Sequence, residues 1–360
     1  MIQHFRLPIS DDILNIIFNY LSTDIVYGSK LFNKQLNNFI DNRLILENYY
    51  CDRLNKNIIE KHKSNIKKII IHCGSKIDVL NDEDLIGLNK MDTIIFPYEN
   101  TITDEGLKYI PNIRELHIGK NKNITNIRDF FENKNITNEG LKYIPNIKYL
   151  TLESNQNITD EGLKYIPNIK YLHLECSTRI TNEGLKYIPN IRYLNLFLNE
   201  KITDEGLKYI PNIKHLGLCF NNKITDEGLK YIPNIQRLNL YQNKNITNEG
   251  LKHISNIQYL DLSHNKKITD EGLKHISDIQ ELHLRRNQNI TDEGLKHIPN
   301  IQDLNLEHNT KITNEGLKYI PNIQNLNLKH NTNITNEGVK YIPNVRRIKL
   351  FRNVKDVRRK

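Results

Sequence analysis

The sequence predicts an α/β solenoid, a stack of short strand–helix units, preceded by a small all-α unit at the N-terminus. The phrase Ile-Thr-Asp/Asn-Glu-Gly-Leu/Val-Lys recurs every 22 residues from Ile102 onward, with one longer interval. Before each phrase from Ile158 onward, two leucines alternate with other residues, which is typical of a strand with one buried face. Units of this length cannot bury their apolar faces alone and must stack. The eleven copies begin at Ile102, Ile136, Ile158, Ile180, Ile202, Ile224, Ile246, Ile268, Ile290, Ile312 and Ile334.

Residues 147–168 illustrate one unit. We expect Tyr149 to Glu153 to form a strand on the inside of the curve, with Leu150 and Leu152 buried. Thr159 lies where a helix N-cap is expected, and its hydroxyl should accept a hydrogen bond from a backbone amide. Pro167 ends a brief helix, and Gly162 lets that helix pack closely on its neighbour. The unit therefore predicts a concave sheet and a convex row of short helices.

An asparagine follows each strand at one register position, with Ser177 as the exception. A buried amide there must bond to the backbone of adjacent turns, so we expect a structural hydrogen-bonded ladder. The asparagines are Asn121, Asn155, Asn199, Asn221, Asn243, Asn265, Asn287, Asn309, Asn331 and Asn353.

The period also sets the predicted domain boundaries. Residues 1–50 form the helical unit, 51–79 a linker and N-terminal cap, 80–101 a degenerate repeat, 102–345 the array, and 346–360 a basic C-terminal cap. The β-prone run from Ile66 to Cys73 is expected to cover the edge of the sheet. Twelve strands about 4.8 Å apart would give a concave surface roughly 50 to 60 Å long. A 12-residue insert near 124–135 is either a contact loop or a slipped duplication.

Composition narrows the class of protein. Hydrophobic residues make up 38% and charged residues 26% of the chain, and no apolar run approaches the roughly 18 residues of a membrane helix. The N-terminus lacks a secretory signal pattern, and the four cysteines form no Cys-x-x-Cys pair. We expect a cytoplasmic or nuclear protein without a membrane partner. The Asn, Ile and Lys bias indicates an AT-rich genome such as that of an amoeba or a large virus, and in the viral case the compartment would be the host cell's.

The net charge of +9 does not by itself indicate a nucleic-acid partner. Eleven lysines, Lys108 to Lys340, each follow a glutamate by three residues, which is typical of solvated pairs on an outer face. Only the tail from Arg346 to Lys360 is locally basic, and a polar solenoid cap or nuclear targeting would each explain it.

The repeat resembles the leucine-rich repeats, and Ile-Thr-Asp-Glu-Gly-Leu is similar to their cysteine-containing subclass, with asparagine in place of the cysteine. The resemblance implies a horseshoe like that of ribonuclease inhibitor. Residues 7–32 resemble an F-box, through the Leu7-Pro8 opening, the Ile13-Leu14 pair and the Ser29-Lys30-Leu31-Phe32 element. Gly28 and a short segment from Asp24 to Lys30 depart from that pattern.

The order F-box then repeats is that of the F-box/leucine-rich-repeat receptors of ubiquitin ligases. It implies a substrate-recognition subunit of an SCF-type cullin-RING ligase that docks on the Skp-type adaptor. The implied adaptor contacts are Leu7, Pro8, Ile9, Ile13, Leu14, Ile17 and Leu21. Two alternatives stay open: these residues form only a hydrophobic cap, or the chain is a repeat scaffold or inhibitor without ubiquitin machinery.

An unknown protein substrate would bind the concave face, where strand residues between the leucines point outward and differ between copies. Large aromatic side chains are frequent anchors of protein interfaces, although a cross-strand ladder that only stabilises the sheet would look the same. The predicted target-binding residues are Tyr149, Tyr171, Tyr193, Phe197, Phe220, Tyr241, Tyr259, Arg237 and Arg285. No nucleophile, base and orienting group recur together, and His264, His308 and His330 lack a converging set of ligands in the sequence. We therefore expect no catalysis, no cofactor and no metal.

Overall fold

The computed structural model describes residues 48–51, 56–71, 81–98, 101–120, 135–152, 155–174, 179–350 and 353–355. Their fifteen strands form one sheet in chain order. Strands β1 to β14 run parallel, and β15 pairs antiparallel with β14. The strands are β1 (Asn48–Cys51), β2 (Lys68–Ile71), β3 (Thr93–Tyr98), β4 (Glu115–Lys120), β5 (Tyr149–Leu152), β6 (Tyr171–His173), β7 (Tyr193–Asn195), β8 (His215–Gly217), β9 (Arg237–Asn239), β10 (Tyr259–Asp261), β11 (Glu281–His283), β12 (Asp303–Asn305), β13 (Asn325–Asn327), β14 (Arg347–Leu350) and β15 (Asn353–Lys355).

A row of short helices forms the opposite side of the solenoid. Those that begin at the repeated phrase have four residues each, because the glycine and the turn before the proline leave room for a single turn. The α-helices are α1 (Lys56–His62), α2 (Asp104–Leu107), α3 (Asn138–Leu141), α4 (Asp160–Leu163), α5 (Asn182–Leu185), α6 (Asp204–Leu207), α7 (Asp226–Leu229), α8 (Asn248–Leu251), α9 (Asp270–Leu273), α10 (Asp292–Leu295) and α11 (Asn336–Val339), and 3-10 turns cover Asp82–Leu85, Lys274–Ile276 and Gly316–Tyr319. None of the described helices has the length and hydrophobicity needed to cross a bilayer.

The core lies between the sheet and these helices. Each unit contributes the same inward-facing set, which in one repeat comprises Leu150, Leu152, Ile158, Leu163, Ile166 and Ile169, all fully buried. Because adjacent strands pair with an offset of one period, as in Leu238 with Leu260, equivalent leucines stack directly on one another. The burial of apolar area that no unit could achieve alone therefore holds the stack together.

The asparagine ladder is present along the described array. Asn243 donates from Nδ2 to the carbonyls of Asn221 at 2.8 Å and Ile224 at 2.9 Å. Its Oδ1 accepts from the amides of Asn245 at 2.8 Å and Ile246 at 3.0 Å. Each side-chain amide thus forms hydrogen bonds with buried backbone N–H groups of its own turn and backbone carbonyls of the preceding one. The buried members are Asn155, Asn199, Asn221, Asn243, Asn265, Asn287, Asn309 and Asn331.

The N-cap prediction holds for most repeats but is wrong for Thr159, and Thr203 and Thr269 also lack the side-chain cap bond. Thr137 and Thr181 accept the amide two residues later, as expected. Thr159 has the backbone of an N-cap but makes no side-chain cap bond. Its hydroxyl accepts from Nδ2 of Asn138 in the preceding repeat at 2.9 Å instead.

Strand β3 pairs with β4 one period later, with Thr93 opposite Glu115. The sheet nevertheless continues further than predicted. Strand β2 lies inside it and β1 lies beyond β2, so the run from Ile66 to Cys73 is not the edge. Residues 48–50, predicted as the end of the N-terminal helical unit, belong to β1. The sheet therefore has fifteen strands among the described residues rather than twelve, and β15 covers its last edge.

The insert near 124–135 leaves the register of the sheet unchanged. Glu115 pairs with Tyr149 and Leu116 with Leu150, although 34 residues separate each pair. The twelve additional residues are therefore accommodated outside the strand pairing. Positions 121–134, the predicted adaptor contacts from Leu7 to Leu21, and Asn121 and Ser177 of the predicted ladder lie outside the described residues.

Candidate functional site

The concave face of β5 to β10 carries a column of aromatic side chains in register. Tyr149, Tyr171 and Tyr193, which we call the tyrosine column, occupy equivalent positions on adjacent strands. The rings of Tyr171 and Tyr193 stack with centroids 3.9 Å apart and planes 13° apart. Tyr149 is 46% exposed, and the other two are half-buried. The period positions these rings, because one repeat places each side chain directly beside its equivalent.

A second line of rings follows the ends of the strands. Phe197, Phe220, Tyr241 and His264, which we call the phenylalanine row, contact one another edge to face, with centroid distances of 5.6, 5.3 and 5.2 Å. Phe220 and His264 have positive φ, at 64° and 68°. The Phe220 amide donates to the carbonyl of Tyr241 at 2.8 Å, which holds this turn in place. The row is therefore fixed by the backbone as well as by ring packing.

Between the two lines lies a depression of about 380 Å³. Gly217 is part of its lining, and a Cβ there would approach Asn195 Oδ1 to 2.8 Å. Aromatic side chains form much of the wall, Cys219 is 8% exposed, and Arg237 lies at the pocket. The lining residues are Tyr193, Asn195, Phe197, His215, Leu216, Gly217, Cys219, Arg237, Asn239 and Tyr259.

The pocket carries little net charge. Burial and the charge of Arg237 lower the pKa of His215, so its imidazole is neutral at neutral pH. Burial raises the pKa of Tyr259, so its hydroxyl stays protonated. The Arg237 guanidinium carbon lies 4.2 Å from the centroid of the Tyr259 ring, and its Nη2 lies 3.3 Å from Glu281 Oε2. The one cation of the lining is thus already stacked and paired, and the site suits an apolar or aromatic group.

Eight of the nine predicted target-binding residues gather on this aromatic face, and Arg285 does not. Arg285 lies on the polar part of the concave side, where its Nε is 3.5 Å from Glu307 Oε2. Sequence reasoning missed the pocket itself. Gly217 is the only glycine at the middle position of the repeat strands, and that exception could have indicated it.

Some side chains expected to face outward are buried instead. Cys219 is 8%, Ser263 3%, and Thr151 and Asp261 9% exposed. Small side chains at these positions lie below the level of their larger neighbours, so the concave face is uneven. Among the described residues, one group of metal-ligating side chains, Glu307, His308 and His330, converges within 4.8 Å, away from the aromatic face.

The convex face has a repetitive, self-paired surface. Lys164 Nζ lies 2.6 Å from Glu161, and 5.2 Å from the centroid of the Tyr187 ring in the next repeat. The hydrogen bond that Lys164 donates to the Glu161 carboxylate raises the pKa of Lys164. The same pairing recurs from Lys108 to Lys340. The charges of this face are therefore matched within each repeat, as the sequence predicts, and variation between copies is concentrated on the concave side.

Comparison with known proteins identifies the repeat. The leucine-rich-repeat family model matches residues 143–166, 187–210, 211–232, 253–277, 275–298, 297–320 and 319–342. These matches support the repeat half of the predicted resemblance, and the comparison gives no F-box match. No curated protein matches the sequence.

Solved structures share the architecture. An internalin from Listeria monocytogenes has 20% identity and a TM-score of 0.61, over 92% of this chain and 95% of the internalin chain. A leucine-rich-repeat protein from Leptospira interrogans has 22% identity and a TM-score of 0.55, over 86% and 76%. The TLR13–ssRNA13 complex has 19% identity and a TM-score of 0.53, over 80% of this chain and 50% of the TLR13 chain. These likenesses establish a leucine-rich-repeat solenoid fold and leave the ligand of this chain open.

Proposed function

We propose that the concave aromatic face binds a protein partner, and that this chain acts as a recognition subunit without catalytic activity. The observation that carries the proposal is the Gly217 pocket, which is lined by Tyr193 of the tyrosine column and Phe197 of the phenylalanine row, with the other rings of both lines beside it. Rigid aromatic rings lose little conformational entropy on binding and dominate many interfaces. A pocket between such rings would accept one anchoring side chain of the partner.

Charge favours a protein over a nucleic acid as the occupant. A phosphate backbone needs several unpaired cations along the binding surface. Here Arg237 is paired with Glu281, and Arg285 with Glu307. Asp303, opposite Glu281 in the register, adds negative charge to the same side of the sheet. A protein that presents apolar and aromatic side chains complements this surface better.

The test uses paired substitutions on the two faces. Tyr171→Ala with Tyr193→Ala should abolish capture of the partner, because it removes the stacked pair at the edge of the pocket. Tyr209→Ala with Tyr231→Ala removes two convex tyrosines and should leave capture unchanged. Quantitative affinity capture of the wild type and both variants, with circular dichroism as a folding control, measures this. Equal loss from both variants, or from neither, would contradict concave-face recognition.

We further propose that the partner is the substrate of a cullin-RING ubiquitin ligase, with residues 1–50 docking on its Skp-type adaptor. The support is the F-box resemblance of Leu7-Pro8 and of the apolar positions Ile9, Ile13, Leu14, Ile17 and Leu21. An amphipathic helix with this spacing fits a helical groove on an adaptor. The chain would then hold a substrate near a ubiquitin-conjugating enzyme and raise its effective concentration, in the cytoplasm or nucleus.

Direct binding to the purified adaptor tests the ligase role separately. The wild type should bind it, and Leu14→Asp or Ile17→Asp should abolish binding, because charge on the apolar face prevents burial. Asn15→Asp and Asn19→Asp, at polar positions of the same predicted helix, are the matched controls. If the wild type does not bind the adaptor while the tyrosine variants still lose their partner, the chain is a repeat scaffold or inhibitor outside the ubiquitin system.

A further inference from the structure

We propose that Glu307, His308 and His330 form a binding site for a transition-metal dication of the zinc type. The site lies at the strand-end turns after β12 and β13, outside the aromatic face. It therefore does not depend on the proposed recognition function. Two imidazoles and one carboxylate are a donor set that zinc prefers, whereas calcium and magnesium prefer oxygen ligands.

The three side chains already converge. Their ligand atoms lie within 4.8 Å of one another, and His308 Nε2 lies 3.7 Å from Glu307 Oε1. The two imidazole rings are parallel, with centroids 4.1 Å apart and planes 6° apart. Zinc ligands at about 2.0–2.1 Å from a tetrahedral ion are roughly 3.3 Å apart, so side-chain shifts on the order of 1 Å and a tilt of the rings would close the site.

The period of the array produces this arrangement. His308 and His330 are one repeat apart and occupy the same turn position, with φ of 66° and 68°. The His308 amide donates to the carbonyl of Lys329 at 2.9 Å, which ties the two turns together. The ladder residues Asn309 and Asn331, next in sequence, are buried and fix the backbone below. Both imidazoles therefore project from a rigid support.

The carboxylate of Glu307 is oriented by its neighbours. Its Oε2 accepts from Asn327 Nδ2 at 3.4 Å and lies 3.5 Å from Arg285 Nε. Its Oε1 is the oxygen that faces His308. In metal sites, contacts of this kind from surrounding side chains hold a ligand in the orientation in which it binds the ion.

Positive charge near the site reduces the affinity we expect. Arg285 Nε lies 3.5 Å from Glu307 Oε2 and repels a dication, so we expect weaker binding than at a closed four-ligand site. Three protein ligands leave the fourth position to water or to a group from a partner.

The experiment uses the full chain and two probe ions. Zn²⁺ binding is measured by calorimetry, and Co²⁺ binding by the visible absorption of the bound ion. The wild type should bind one equivalent, and His308→Ala with His330→Ala should weaken that binding by more than about tenfold, because it removes two of three ligands. Glu307→Gln should also weaken it.

The control is His253→Ala with His297→Ala on the convex face, which should leave the affinity unchanged. Circular dichroism confirms that each variant folds. Binding by the wild type that survives in the His308/His330 variant would place the ion elsewhere and overturn the proposal. A wild type that binds neither ion would also overturn it, and neither result would affect concave-face recognition.

Discussion

At the scale of single residues, His283 lies between two acidic side chains on the concave side. Its Nδ1 lies 3.7 Å from Asp261 and its Nε2 lies 3.4 Å from Glu281. Burial opposes the charged imidazole, but the hydrogen bond and charge of Asp261, with the charges of Glu281 and Asp303, outweigh it and raise the pKa of His283. Burial likewise opposes ionisation of Asp261, yet His283 and the Ser263 amide lower the pKa of Asp261. The charged pair is therefore favoured in the folded state.

We predict that His283→Gln makes the stability of the protein less dependent on pH. The pKa of His283 is higher in the folded than in the unfolded protein. The stabilisation from its charged imidazole is therefore fully present below about pH 6.5, the pKa of an unfolded histidine, and is lost as pH rises through the folded-state pKa. The contribution of Asp261 is lost only at acidic pH, as pH falls through its lowered pKa. The difference in free energy of unfolding between wild type and variant should thus be larger near pH 6 than near pH 9 in urea titrations. An equal difference at both pH values would contradict this, and His253→Gln serves as the control.

At the scale of one element, the start of each convex helix depends on a side chain from the preceding repeat. Where that residue is aspartate, as Asp104, it accepts both the amide and the hydroxyl of Thr137, at 2.8 and 2.6 Å. The Thr137 oxygen still accepts the Glu139 amide. Where it is asparagine, as Asn138, its amide group donates to Thr159, and three of the four threonines with such a partner, Thr159, Thr203 and Thr269, make no cap bond. Thr335 is the exception, since it keeps its cap bond although Asn314 donates to its hydroxyl.

The local rule for N-caps could not predict this difference from the sequence of one unit. Thr137 and Thr159 precede nearly identical helices, and they differ in a partner 33 and 21 residues earlier. The close packing allowed by the glycine of the phrase could be predicted. In the structure, a Cβ on Gly162 would collide with the same Asn138 side chain. Local sequence thus predicts the position of the helix and its close packing, whereas its hydrogen bonding depends on stacking.

Asn138→Asp should therefore stabilise the protein. An aspartate accepts the Thr159 hydroxyl hydrogen and leaves the oxygen free to cap α4, a gain of about 0.5–1 kcal/mol in the free energy of unfolding. Urea denaturation of the wild type and variant measures it. Asn300→Asp adds the same charge at an exposed turn and should have a smaller effect. Equal shifts in the two variants would indicate a general charge effect rather than a restored cap.

At the scale of the whole molecule, the 22-residue period predicted the fold because it also determines strand register. Every described strand pair from β3 to β14 joins residues that are equivalent in the repeat, even across the 12-residue insert. The period says nothing about strands that lack the phrase, which is why β1 and β2 extended the sheet beyond the prediction. The aromatic column was predictable from register alone. The Gly217 pocket was not, because its shape depends on the side chains of four adjacent repeats.

A solenoid whose stability is the sum of equivalent units should tolerate the loss of one complete unit. Deletion of residues 268–289 joins Lys267 to Ile290 and preserves both the phrase and the strand register, so we expect a cooperatively folding protein with a slightly lower unfolding midpoint. Deletion of residues 268–278 removes the convex half of the same unit and leaves its strand unsupported. That variant should lose cooperativity, because Leu282 and Leu284 would lack the helix that covers them. Circular dichroism during urea denaturation distinguishes the two, and equal damage from both deletions would show that the units are not interchangeable.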